Sequence, residues 1–141
     1  MVALAITAAQ VLTVADATNT FVQGVAGGTI TAGMAVYSDL TDSNKYKAAD
    51  ANLSAAAAVV GGIALHGASS GQPLRVQTAG TIELGAGAAP ASGMIYILGG
   101  TVAGDWEPCT ALVSTWYSTT LGVGIGTNKI KLGISVYGFA L

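Results

Sequence analysis

The sequence of 141 residues has one cysteine, one histidine, three prolines and only five Lys or Arg beside seven Asp or Glu. Each scarcity excludes a class of chemistry. A lone Cys109 makes no intrachain disulfide and joins no Cys-rich metal site, and such cysteine usage fits a reducing, cytosolic place of synthesis. With His66 as the sole histidine, neither a His-rich zinc site nor a two-His iron site can be assembled in one chain. A Ser-His-Asp triad would have to use His66, and no G-x-S-x-G elbow accompanies it. No catalytic residue, cofactor or metal is therefore expected.

Charge is equally sparse, at 9% of residues against about 25% in an ordinary soluble domain. Lys45, Lys47, Arg75, Lys129 and Lys131 are scattered rather than gathered into a stripe, so nucleic acid is not an expected partner. No Lys or Arg precedes Lys45, which removes the charged start of a secretory signal. Residues 51–72 and 108–128 are free of Lys, Arg, Asp and Glu over about a membrane-spanning length. Both consist of small residues interrupted by glycine and lack the Leu, Ile and Phe density that drives insertion, so no membrane association is expected. An outer-membrane barrel is disfavoured too, because the strand candidates fall short of about nine residues.

What the chain does have is glycine, twenty of them at short intervals, with Thr, Val, Ile and Tyr between. That texture belongs to short strands and tight turns, and the expected class is all-β, a small β-sandwich or barrel. Strand candidates are residues 11–14, 29–30, 35–38, 62–65, 74–78, 81–84, 95–98, 121–125 and 130–137. Ala79-Gly80 and Thr127-Asn128 lie between strand candidates and predict two hairpins, with Gly or Asn at positive φ. Asp50 followed by "ANLSAAAAVV" predicts one short Ala-rich helix ending at Gly61.

At an offset of sixty residues the sequence resembles itself. Gly33-Met34 aligns with Gly93-Met94, Tyr46 with Trp106, Asp50 with Thr110, Leu53 with Val113 and Gly62-Ile63 with Gly122-Val123. After a four-residue deletion Leu74-Arg75-Val76 aligns with Ile130-Lys131-Leu132. The expected organisation is one β domain over residues 23–141, with a pseudo-repeat of 29–87 and 89–141. The alternative is chance similarity in a chain rich in glycine and apolar residues. Residues 1–22 stand outside both halves, carry one charge at Asp16 and are too apolar for a solvated tail. They are expected to form an extended N-terminal arm whose Leu4, Ile6, Val11, Leu12 and Phe21 contact a neighbouring subunit or shell; an ordinary first strand of the chain's own sheet is the alternative.

Three patterns invite a chemical reading. Gly122, Gly124 and Gly126 have the glycine spacing of a dinucleotide loop but lack the following helix and acidic residue, so a Gly-rich strand is the better reading. Asp105 and Glu107 flank Trp106 and could be drawn as a glycosidase pair, though a solvated loop is the safer reading. His66 in "ALHGASSG" reads as an ordinary loop histidine.

A family resemblance rests on "TITAGMAVYSD" (29–39), "NKYKAADAN" (44–52), "VVGGIALHGASSGQPLRVQTAGTIELGAG" (59–87) and "TTLGVGIGTNKIKLGIS" (119–135). With these segments the chain resembles the small capsid cement, or head decoration, proteins of tailed bacteriophages. The resemblance implies a non-enzymatic, β-rich structural protomer, commonly a homotrimer, on the outer surface of the virion where copies of the major capsid protein meet. The loop of residues 99–108 and the pair Trp116-Tyr117 depart from the family pattern, and Trp116 and Tyr117 are further candidates for capsid or inter-subunit contact, with core burial as the alternative. The competing function is a carbohydrate-binding or tail-associated β-module, which would line a groove with Trp106 or Trp116.

Overall fold

Strands account for about half of the residues described by the computed structural model, which covers 4–85, 88, 90–126 and 128–140. They are β1 (Val11–Val14), β2 (Thr20–Val25), β3 (Ala35–Asp39), β4 (Lys45–Ala48), β5 (Gly62–Ala64), β6 (Pro73–Leu84), β7 (Ile95–Leu98), β8 (Trp106–Pro108), β9 (Tyr117–Gly126) and β10 (Lys129–Ala140). All the strand pairs are antiparallel, in the order β4-β3-β5-β6-β10-β9-β7-β8, with β1 and β2 also on β6. The chain is thus all-β, a small curled sheet of barrel or sandwich type.

That order is a palindrome of two like units, β4-β3-β5-β6 and β8-β7-β9-β10, and their registers repeat at sixty residues. Val36 faces Ala48 as Tyr96 faces Pro108, and Ser38 faces Tyr46 as Leu98 faces Trp106. Ala35 faces Ile63 as Ile95 faces Val123. The entry turns match as well: Gly33 N–H donates to Ala64 O at 2.8 Å and Gly93 N–H to Gly124 O at 2.7 Å, both glycines at positive φ. The equivalence on the last strand differs from the sequence alignment by two residues. Ile63 pairs with Gln77 and Val123 with Lys131, so Val76 corresponds to Ile130, not to Leu132. A two-residue slip keeps every side chain on its face, which is why the apolar pattern does not detect it.

Other expectations change in three places. Ala79-Gly80 makes no hairpin: β6 runs through it, pairing with β2 and β5 before the glycine and with β1 and β10 after it. Gly80 does take positive φ, at 104°, as a bend in one strand. The Ala-rich helix is absent. Asp50 instead accepts from the N–H of Asn52 in an Asx turn, and a single 3-10 turn, Ala56–Ala58, follows Ser54, whose hydroxyl accepts from Ala57 N–H. Residues 29–30 form an isolated bridge from Ile30 to Ala68 rather than a strand. The hairpin expected at Asn128 does form, with Asn128 at φ 58°; Thr127 lies outside the described residues.

The N-terminal stretch also differs from an extended arm. β1 and β2 are strands of the chain's own sheet, Thr7 N–H donates to Leu84 O, and Leu4 N–H donates to Trp106 O. In the other unit Gly27 N–H donates to Tyr46 O, so each unit is closed by one bond to an equivalent aromatic carbonyl. Apolar side chains left over from sheet pairing fill two clusters. The larger unites Ile63, Ile82, Leu84, Leu98, Trp106, Trp116, Leu121 and Ile130 from both units, and the smaller gathers Ile30, Val36, Leu74 and Val76 inside the first.

Candidate interaction surface

His66 and the β9 glycines are engaged in the sheet, and Cys109 is left exposed. Nε2 of His66 accepts from Arg75 N–H at 3.0 Å, so the proton sits on Nδ1, which faces Gly67 O at 2.9 Å. Nε2 thereby ties the loop to β6, while Nδ1 engages the carbonyl of the next residue in the same loop. Gly122, Gly124 and Gly126 lie in β9, and Gly122 and Gly124 have backbone where a side chain would stand. Cys109 is a free, exposed thiol. No group of three or more His, Cys, Asp or Glu converges among the described residues.

Asp105 and Glu107 flank Trp106 at the start of β8. Burial raises the pKa of both, and for Glu107 the neighbouring Asp105 charge adds to the effect. Glu107 is 7% exposed, and its Oε2 has no hydrogen-bond partner among the described residues. The two do not share a cleft, however. Asp105 lines a hollow of about 290 Å³ with Leu4, Ile6 and Met34, and Glu107 is not part of its wall. Trp106 between them points into the core and donates from Nε1 to Gly33 O at 2.8 Å.

The seven side chains expected at contacts separate by exposure. Val11 and Trp116 are buried in the main core, and Leu4, Ile6 and Tyr117 pack against it half-buried. Val11 and Trp116 therefore support the fold from within and offer no outer surface. Leu12 and Phe21 are on the surface, with the Arg75 guanidinium 4.3 Å from the centre of the Phe21 ring. Both tryptophans are buried, so neither lines a groove.

Elsewhere on the surface, ion pairs lie alongside uncovered apolar side chains. Asp16 binds Lys131 at 2.6 Å, and this ammonium, then the Thr18 N–H and the Thr81 hydroxyl, hold its carboxyl far below the usual range. Lys47 lies 2.7 Å from Asp39; with the Thr41 hydroxyl and N–H it pulls the Asp39 carboxyl down to about 2, while the carboxylates of Asp39 and Asp42 push Lys47 up. Large apolar side chains stand uncovered, Leu40 at 84% exposure next to Asp39 and Leu53 at 67%. Leu40 and Val59 flank a groove of about 430 Å³ whose walls include Tyr37, Tyr46 and Ala56. Sequence reasoning missed this groove, whose signal is a leucine within the polar turn "DLTDSN".

Comparison with known proteins finds no family model and no curated relative that matches the chain.

Proposed function

We propose that the chain is a non-enzymatic structural protein of a tailed-phage virion, which binds the outer surface of the capsid and stabilises the shell through contacts with the major capsid protein. The observation that carries this reading is the pairing of Asp16, Asp39, Asp42, Lys45, Lys47 and Lys131 within the chain while Leu40, Leu53, Val59 and Val102 remain exposed. Exposed apolar patches on a small domain mark interaction surfaces. A surface whose charges are already paired packs on a neighbour with little desolvation penalty. Repeated over a lattice, weak contacts of this kind add by avidity, and a protein that binds only the assembled shell stabilises it by linkage.

The test uses capsids stripped of the protein. The intact chain is expected to co-sediment with the shells and raise the temperature at which they rupture, and Leu40→Asp with Val59→Asp is expected to weaken binding at least tenfold without changing the fold. Failure of the intact chain to bind such shells overturns the reading.

A further inference from the structure

Strand β2 is uncovered on both faces: Thr20, Phe21, Val22 and Gln23 are exposed in succession, and so is Val25. Neighbouring residues of a strand face opposite sides, so both sides of this one reach solvent, with only the Arg75 guanidinium over Phe21 and the Tyr46 ring against Gly24. Its pairing partner is β6. Ala26 N–H donates to Gln72 O, and the register runs on without a break through Gly24 opposite Leu74 to Val22 opposite Val76. Bonded and non-bonded pairs alternate along an antiparallel ladder. Val22 and Gly24 therefore direct their N–H and C=O at β6, while Phe21, Gln23 and Val25 direct theirs outward. Pro73, which has no N–H, stands opposite Val25, where this alternation requires none.

Beyond Val25 the outer side is taken, because Gly27 N–H donates to Tyr46 O at 2.7 Å and Ala26 bridges to Tyr46 of β4. The open edge is thus residues 20–24, centred on Val22. Exposed edges are ordinarily guarded by charge or proline. Here neither occurs between Asp16 and Asp39.

We infer that β2 pairs antiparallel with β2 of a second copy of this chain, across a two-fold axis at Val22. The axis sets Val22 opposite Val22 of the second copy as a non-bonded pair, and Phe21 opposite its Gln23, so the outward groups of Phe21 and Gln23 meet in four N–H···O bonds. Thr20 falls opposite Gly24 of the second copy. An uncharged strand places no like charges face to face, which self-pairing demands, and it holds no charge to select an unlike partner. The contact is isologous, the commonest form of self-association, and differs from the three-fold assembly implied by the family resemblance.

The test uses the full chain with Cys109→Ser to remove the exposed thiol. Non-bonded pairs bring Cα atoms to about 4.5 Å, within disulfide reach. Val22→Cys is expected to give a disulfide-linked dimer on mild oxidation, whereas Leu53→Cys at an exposed site off the strand stays uncrosslinked. Light scattering is expected to give a dimer mass that Val22→Lys returns to monomer with circular dichroism unchanged; if Val22→Lys does not fold, Phe21→Glu is read in its place. A monomer, a trimer mass unaffected by the edge variants, or equal crosslinking from Leu53→Cys overturns the inference.

Discussion

Gly80 bends β6 at a φ of 104°, and the space a side chain would need is filled by Asn19. Asn19 is fixed in turn: its amide donates to Val14 O at 2.7 Å, and its carbonyl accepts from Thr81 N–H at 3.0 Å. Beside it the fully buried Gln77 accepts from the Thr13 hydroxyl at 2.9 Å and donates toward Ala79 O at 3.0 Å, with Thr81 O and Asn19 Oδ1 at 3.2 Å. Gly80→Ala forces both a disfavoured dihedral and a collision, and is expected to lower unfolding free energy by about 2 kcal/mol or more in urea titrations. Gln77→Leu strands these partners and is expected to cost about 1–3 kcal/mol. Glu107 behaves oppositely. Its folded pKa lies above the unfolded one, so the folded state holds its proton more tightly, and stability falls as pH rises from the ordinary carboxylate pKa through the raised one. Glu107→Gln is expected to melt higher than the parent at pH 7, the gain disappearing below about pH 4.

Among the elements, the β3–β4 hairpin shows how a polar strand is secured. Lys45 and Lys47 stand on one face of β4 and Tyr46 and Ala48 on the other, Tyr46 packing on the smaller core cluster, and the strand pairs along β3 from Val36 to Asp39. Asp39 organises the turn by accepting from both the N–H and hydroxyl of Thr41 and from Lys47. Its carboxyl is pulled from 3.8 to about 2, so its stabilisation is complete above the ordinary value and is lost as pH falls through that interval. Asp39→Asn is expected to flatten the loss of thermal stability between pH 4 and pH 2, and 1 M salt to shrink the difference between the two proteins.

At the scale of the whole molecule, the N-terminal segment joins the two units. Ile6 packs where a side chain at Gly33 would stand, Leu4 bonds to Trp106 of β8, and β1 and β2 lie along β6. Deleting residues 1–9 is therefore expected to lower stability by about 2 kcal/mol or more, the loss of two half-buried aliphatic side chains, rather than leave melting unchanged as a free arm would. Calorimetry on the truncated chain decides between them. The deletion leaves the β2 edge in place, so self-association is expected to persist wherever the truncated chain folds.

Local and periodic features were legible without coordinates. The bounds of β1 and β7, the positive φ of Asn128 and the sixty-residue spacing of the two entry glycines depend on residues near one another in sequence, or on a pattern that repeats. Tertiary contacts decided what these could not. Ala79-Gly80 has the chemistry of a hairpin turn, but strands on either side of β6 hold it open as a bend. The alanines after Asp50 favour helix in isolation; instead Ala58 O accepts from the Thr119 hydroxyl and Ala51 exchanges backbone bonds with Gly99 and Tyr117. Trp106 and Trp116 could equally have lined a surface groove, and only packing between the two units placed them inside. Propensity acts over a few residues, whereas burial and strand pairing are settled by partners tens of residues away.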